Sequence, residues 1–395
     1  MADAPLNRTE VLARLAASGS LAGANLQGAD LRELNLAGVD FSGADLSQAK
    51  LNGSSFRKAK LGGCRMAGAT IAGTLFIGAT VEARGILEAD LRGALLGGTA
   101  FAGADFSGRD LTKCVLAACD LRGAKFGGAV IKETNFAGAN LEGADFKKAT
   151  LTGPIFEKAN LAKADFAGAT IAAAGFAGAS LDGTNLGDAR FKSTDFTGID
   201  LSKARIAATT FKACTFAGVA LAKRDLRKCD FSDAELAGAD LSGVNFAEAV
   251  LSKADLTGAN LKGATLTTVT APFAVFEKAD LEGAKLGGAT FKMATFAGAK
   301  LKSANFEKAD LHQAVLEKAD FTLAVLHEAK MMYVDLSFAV VQGADFSRAD
   351  LLGANLHGVL EKGAKWDGAN LKLVKRTDMD KLNAEEWKPP ALDKK

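Results

Sequence analysis

From residue 21 to residue 356 a large apolar residue returns at every fifth position, as in FEKADLEGAKLGGATFKMATFAGAK from Phe276 to Lys300. An amphipathic helix repeats its apolar residues about every 3.6 positions and a half-buried strand every 2, so a period of five fits neither. All 68 positions in this register are Leu, Phe, Ile, Met or Val, apart from Ala271, and nothing is inserted or deleted between them. Of the 25 Phe residues, 23 occupy these centres.

A second rule accompanies the first. The residue two before a centre is mostly Ala (Ala24, Ala29, Ala44), otherwise usually Thr, Val, Ser or Cys. The residue just before the centre is often Asp or Asn, as at Asp40, Asp45 and Asn140, and the residue two after it is often Gly, as at Gly23 and Gly43. A large and a small residue in each five-residue unit both point inward only if the chain turns within the unit. Gly eases unusual dihedrals there, and Asp or Asn bonds its own backbone. One unit cannot bury its centre alone, whereas stacked coils bury a continuous column.

This Ala-(Asp/Asn)-(Leu/Phe)-x-x pattern resembles the pentapeptide-repeat family over residues 21 to about 375. The resemblance implies an all-β fold, a right-handed quadrilateral β-solenoid with four units per coil. It also implies that the centre and the small residue point in and the other three point out. The array then has about 17 coils and, at one strand spacing each, a length of roughly 80 Å. Columns read at a spacing of twenty support four units per coil: Phe136, Phe156, Phe176, Phe196 and Phe216 form one run, and Phe106, Phe126, Phe146 and Phe166 another. Stacked rings are expected along both.

Both ends depart from the pattern, which divides the chain into a helical cap (1–20), the solenoid (21–375) and a helical or irregular tail (376–395). In RTEVLARLAASGS, Thr9 is the expected N-cap, Val11, Leu12 and Leu15 the apolar face, and Gly19 the stop. Glu361 falls on a centre, Trp366 and Leu371 resume the register, and RTDMDKLNAEEWKPP reads as a short capped helix ending before Pro389 and Pro390. Family members often end in such a helix, in some cases at a dimer contact.

With 48 basic and 46 acidic residues the net charge is +2, a balance that argues against a dedicated nucleic-acid binder. Met1 to Ser20 lacks a signal-peptide pattern, and Phe166–Leu181, an uncharged stretch as long as any in the chain, keeps the five-residue register. A cytoplasmic protein without membrane insertion is the expectation. Cys64, Cys114, Cys119, Cys214 and Cys229 all take the small inward position, without CxxC spacing, and read as reduced core filler. His312, His327 and His357 each follow a centre on different sides and read as solvated. A solenoid filled by its own side chains offers no pocket, so neither catalysis, metal nor cofactor is expected.

Several residues break the outward and inward rules. Arg84, Arg109 and Arg224 stand where small inward residues belong, so either the coil bulges or the side chain escapes at a corner toward Asp110 or Asp225. VEARGILEAD, from Val81 to Asp90, is expected to expose Leu87 and to be irregular. Arg190, Lys192 and Lys212, near Thr150, Thr170 and Thr210, form either a solvated face or an anion-binding strip. The two Phe residues off the centres are Phe273 and Phe338. Pro272, Met293, Leu323, Met332, Tyr333, Leu352 and Leu373 also fall at outward positions. Together these nine form the candidate protein-binding patch, which the tail after Arg376, anchored by Leu382 and Trp387, covers if it folds back.

Three readings of function follow. The first is a non-enzymatic rigid scaffold that binds a protein partner, or itself through the C-terminal end. The second comes from resemblance: some family members imitate DNA, bind gyrase and confer quinolone resistance. Such imitation over 80 Å needs roughly 47 negative charges, against a net +2. The third rests on the two ends, which look like those of pentapeptide-repeat proteins associated with contractile, type VI-like secretion systems, as accessory or cargo-adaptor parts.

Overall fold

Each five-residue unit closes a β-turn. The small residue's N–H donates to the carbonyl of the preceding centre, as from Ala24 to Leu21 at 3.1 Å and from Ala44 to Phe41 at 2.8 Å. The turn carries the residue two after the centre to positive φ, 65° at Gly23 and 72° at Gly43, as a type II turn demands. Glycine adopts this freely, yet Lys158 and Glu248 stand there too, at 56° and 60°. The acidic or amide residue before the centre fixes the corner from the other side. Asp40 Oδ1 accepts the Ser42 N–H at 2.9 Å, and Asp145 Oδ1 that of Lys147 at 2.9 Å. These are the local backbone bonds that select Asp and Asn at that position.

The computed structural model describes residues 4–386, apart from the side chains at 83, 84 and 386. The turns stack in parallel with a register of twenty: Ser20 pairs with Asp40, Asn25 with Asp45, Asp30 with Lys50 and Asn35 with Ser55. The Leu21 N–H donates to Asp40 O at 2.8 Å, and the Lys50 N–H to Ala29 O at 3.0 Å. The chain is a β-solenoid, in two compact units, Met1–Thr210 and Phe211–Lys395.

In the first unit, helix α1 (Arg8–Ser18) precedes the ladder. Its N-cap is Asn7, not Thr9. The Asn7 side chain accepts the Thr9 and Glu10 N–H groups, and Glu10 accepts the Asn7 N–H at 2.8 Å, a capping box that Thr9 does not complete. Gly19 ends the helix at φ 63°. The Leu6 N–H donates to Asn25 O at 2.9 Å and Arg8 to Arg32 O at 2.9 Å, which ties the cap to the first turn. Short strands β1 (Lys60–Leu61) and β2 (Thr80–Val81) pair in parallel. Farther on, β3 (Val130–Lys132), β4 (Thr150–Thr152), β5 (Thr170–Ala172) and β6 (Arg190–Lys192) pair in order, each burying its middle residue.

Two aromatic ladders fill this core. Phe106, Phe126, Phe146 and Phe166 stack at centroid spacings of 5.0, 4.6 and 4.6 Å. Phe136, Phe156, Phe176 and Phe196 stack at 5.1, 5.2 and 5.5 Å, edge-on to the first ladder. Inward hydroxyls reach back to carbonyls 23 residues earlier: Ser54 to Leu31, Thr74 to Leu51 and Thr134 to Leu111, at 2.5, 2.8 and 2.7 Å. A buried hydroxyl with an acceptor carries no desolvation penalty to offset.

One coil is irregular. A single helical turn, α2 (Ala83–Leu87), replaces a flat unit. Leu87 is 8% exposed, which corrects the expectation that it faces water; the helical turn swings it inward beside buried Ile86. Arg109 faces solvent, where its charge acts on Asp105. The Arg84 side chain lies outside the described residues.

In the second unit every centre from Phe211 to Leu356 is buried, Ala271 included. Arg224 is half-buried; its carbonyl still accepts the Asn245 N–H at 2.9 Å, so the ladder passes it intact. In the last turn Trp366 stacks on Phe346 at 4.4 Å. Glu361, displaced from its inward position, is exposed and pairs with Arg376 at 3.1 Å. Helix α3 (Met379–Glu386) follows, its Asp380 and Lys381 N–H groups capped by Asp378. Trp387, Pro389 and Pro390 lie outside the described residues.

Candidate protein-binding surface

The twenty-residue register sorts the outward apolar residues of the second unit. Thr270 pairs with Thr290, Thr290 with Asp310, Asp310 with Lys330, Lys330 with Asp350 and Asp350 with Asn370. Residues 273, 293, 313, 333, 353 and 373 therefore lie on one line of turns. Along it Phe273, Met293, Tyr333 and Leu373 are 49, 50, 51 and 79% exposed. Pro272, Met332 and Leu352, on the neighbouring line of the same face, are half-buried. Leu323, 57% exposed, belongs to a different ladder, in which Asp320 pairs with Val340. Phe338 belongs to a third, in which Asp335 pairs with Asn355.

Three of these side chains share a seat. Each leans onto the residue twenty positions later, which is glycine. A Cβ on Gly353 would stand 2.7 Å from the Tyr333 ring, one on Gly358 2.6 Å from the Phe338 ring, and one on Gly343 2.9 Å from Leu323. Gly353, which interrupts the apolar column in sequence, is the floor on which Tyr333 lies. His312 meets the same ring edge-on at 5.9 Å. An ion pair rims the face, with Lys292 3.3 Å from Asp310. Exposed pairs of this kind contribute little to stability.

The tail docks elsewhere. His357 is 5% exposed, not solvated as its place after a centre suggested. Its Nε2 lies 3.0 Å from Glu385 Oε2 of α3, and its Nδ1 accepts the Asp378 N–H at 3.2 Å. With Nδ1 accepting, Nε2 carries the proton toward Glu385. That bond from His357, then the charge of Lys381, holds the Glu385 carboxyl below its ordinary value of 4.5, against the opposing effect of burial. Phe338 meets the His357 ring edge-on at 5.3 Å, with Lys318 Nζ 5.8 Å from the Phe338 centroid. Phe338 is therefore half-buried against His357, the residue that holds α3, and Leu382 is half-buried on the helix. Sequence reasoning missed His357, Glu385 and Asp378 as a cluster; the one signal was a His sitting a single turn before an acidic helix.

The five cysteines are buried and form no disulfide. Burial pushes the Cys64 and Cys119 thiols up to about 11 and raises that of Cys114 as well. Among the described residues no group of three or more His, Cys, Asp or Glu side chains converges to hold a metal, and no helix is long and apolar enough to cross a membrane.

A family model described as pentapeptide repeats matches in eight copies, over residues 20–57, 89–128, 114–153, 172–206, 229–267, 274–313, 304–331 and 329–359. A second pentapeptide-repeat model matches residues 136–180. No individual curated protein matches the sequence. Among solved structures the chain is similar to HetL, a pentapeptide repeat protein involved in heterocyst differentiation regulation from the cyanobacterium Nostoc sp. strain PCC 7120. The identity is 21%, over 94% of this chain and 98% of that one, with a TM-score of 0.13. Full-length QnrB1, a plasmid-mediated fluoroquinolone resistance protein, is 15% identical over 60% of this chain and 98% of its own, at a TM-score of 0.24. A pentapeptide repeat protein of the Arabidopsis thaliana thylakoid lumen is 26% identical over 37% of this chain and 68% of that one, at a TM-score of 0.10.

Proposed function

The chain belongs to the pentapeptide-repeat family, and on that premise we propose that it works as a non-enzymatic scaffold, binding a protein through the face bearing Phe273, Met293, Tyr333 and Leu373. One observation carries the reading: four large apolar side chains stand about half exposed or more on one line, in a family whose outward positions are ordinarily polar or small. At ~4.8 Å per turn, the line from Phe273 to Leu373 spans about 24 Å. Aromatic and Met side chains on a rigid backbone are what interface cores are enriched in, and a pre-ordered surface loses little entropy on binding. The partner is a protein with its own apolar patch, or a second copy of this chain.

The balanced charge weighs against the DNA-imitating, gyrase-binding reading, and beside this face Lys292 pairs with the Asp310 carboxylate. An adaptor role in a contractile secretion system is a special case of the scaffold and requires the same face.

A photo-crosslinking amino acid placed at Tyr333, and separately at Lys302 on another ladder, tests the proposal in cells of the source organism. An adduct from position 333 and none from 302 supports it. Equal adducts from both, or none from 333, contradict it.

A further inference from the structure

The ladder of the first unit is open beside α2. Thr80 does not bridge to Ala100, nor Gly85 to Asp105, nor Asp90 to Asp110, although the register calls for each. Pairing is intact around the gap: Lys60 with Thr80, Leu75 with Leu95 and Ala100 with Asp120. Among the described residues, hydrogen bonds of the regular pattern are missing at this point, including those from the Gly78 N–H to Gly97 O, from the Val81 N–H to Ala100 O and from the Ala100 N–H to Ala79 O. The cause is local. Helix α2 takes up extra chain, so the Gly68 N–H reaches Glu88 O, twenty residues on, where the Gly28 N–H reaches Ser47 O, nineteen on. Arg109, replacing a small inward residue, turns out to solvent on the facing coil.

Thr99 reports the same opening independently. Ser54, Thr74 and Thr134 each bond a carbonyl 23 residues earlier. For Thr99 that carbonyl belongs to Phe76, and the bond is not made. The Thr99 hydroxyl has no partner, although the residue is only 7% exposed. A buried hydroxyl without a partner is costly, and native proteins rarely keep one without a use. Between the separated edges lies a cleft of about 540 Å³, lined by Gly62, Gly78, Thr80, Glu82, Gly98 and Thr99, among others.

We propose that this cleft binds an extended peptide main chain, which supplies the ladder partners the neighbouring coil does not. The unfilled groups are backbone N–H and C=O along two facing edges, and another backbone satisfies both kinds at strand spacing. The glycines of the lining leave room for main chain but form no pocket for a large side chain. The occupant is therefore a segment of small residues such as Gly, Ala and Ser. Glu82 is the one ionisable side chain among the described lining residues, and it disfavours acidic residues beside it.

The test uses the full chain, isotope-labelled, titrated with acetyl-Ala-Ser-Ala-Ser-Ala-amide while amide resonances are followed. The expected result is saturable shifts at Gly78, Val81, Thr99 and Ala100, abolished when the same peptide carries N-methyl groups on alternate amides. Thr99→Val, which keeps the shape and removes the hydroxyl, is expected to weaken binding about five-fold. No shift at millimolar peptide, an equal response to the N-methylated peptide, or shifts confined to other residues would each overturn the proposal. So would unchanged affinity in Thr99→Val.

Discussion

One edge of the Tyr333 ring, Cδ1 and Cε1, lies over Gly353, occupying the space a Cβ there would need, 2.7 Å from both atoms. The contact links an exposed aromatic to a glycine one turn later and fixes the ring's direction on the candidate face. Gly353 also holds φ at 68°, a conformation that non-glycine residues in this chain do adopt at equivalent positions. Gly353→Ala is therefore expected to cost only about 1 kcal/mol in stability, while pushing the Tyr333 ring off its seat. A crystal structure of the variant showing the ring unmoved would contradict this seat.

Phe146 is enclosed by four rings, stacked at 4.6 Å on both Phe126 and Phe166 and edge-on to Phe136 and Phe156. Phe146→Ala is expected to cost ~3–5 kcal/mol, the usual loss for emptying a large buried aromatic site. Because each turn contacts only its neighbours, the loss is local. Hydrogen exchange should accelerate most in turns near residue 146 and little near residue 300. Uniform acceleration along the chain would contradict the nearest-neighbour picture.

Docking of α3 depends on pH through Glu385. Its carboxyl is held below 4.5 in the folded chain, chiefly by the bond from His357. A carboxyl depressed on folding contributes its stabilisation above the unfolded value and loses it as pH falls through the folded value. The helix is expected to stay docked from pH 7 down to about 4.5 and to loosen below it. Glu385→Gln should loosen it at neutral pH and remove the dependence. Exchange rates of the Leu382 and Glu385 amides, followed from pH 7 to pH 3, check both statements.

The five-residue period made the register, the inward centres and the Asx corners readable in the sequence, because each unit repeats the same local chemistry 68 times. VEARGILEAD stood out as irregular, but Leu87 was misplaced. A one-turn helix rotates side chains by a rule that the five-residue comb does not contain. Phe273, Met293, Tyr333 and Leu373 were legible as a column because outward positions there are ordinarily small or charged. His357 was not, since its burial depends on a segment some twenty residues later that sequence periodicity does not position. The cleft beside Thr99 was hidden because a missing ladder bond leaves no mark on composition.

The twenty-residue register of the second unit is the claim on which the shared face rests, and a spin–spin distance between labelled Met293→Cys and Leu373→Cys tests it most directly. The native thiols are buried, and those of Cys64 and Cys119 are raised to about 11, so labelling at neutral pH should spare them. Residues 293 and 373 stand four turns apart on one line, which predicts a narrow distribution centred at about 19 Å plus the reach of the labels. A broad distribution, or a mean separation twice as long, would contradict the register and the face built on it.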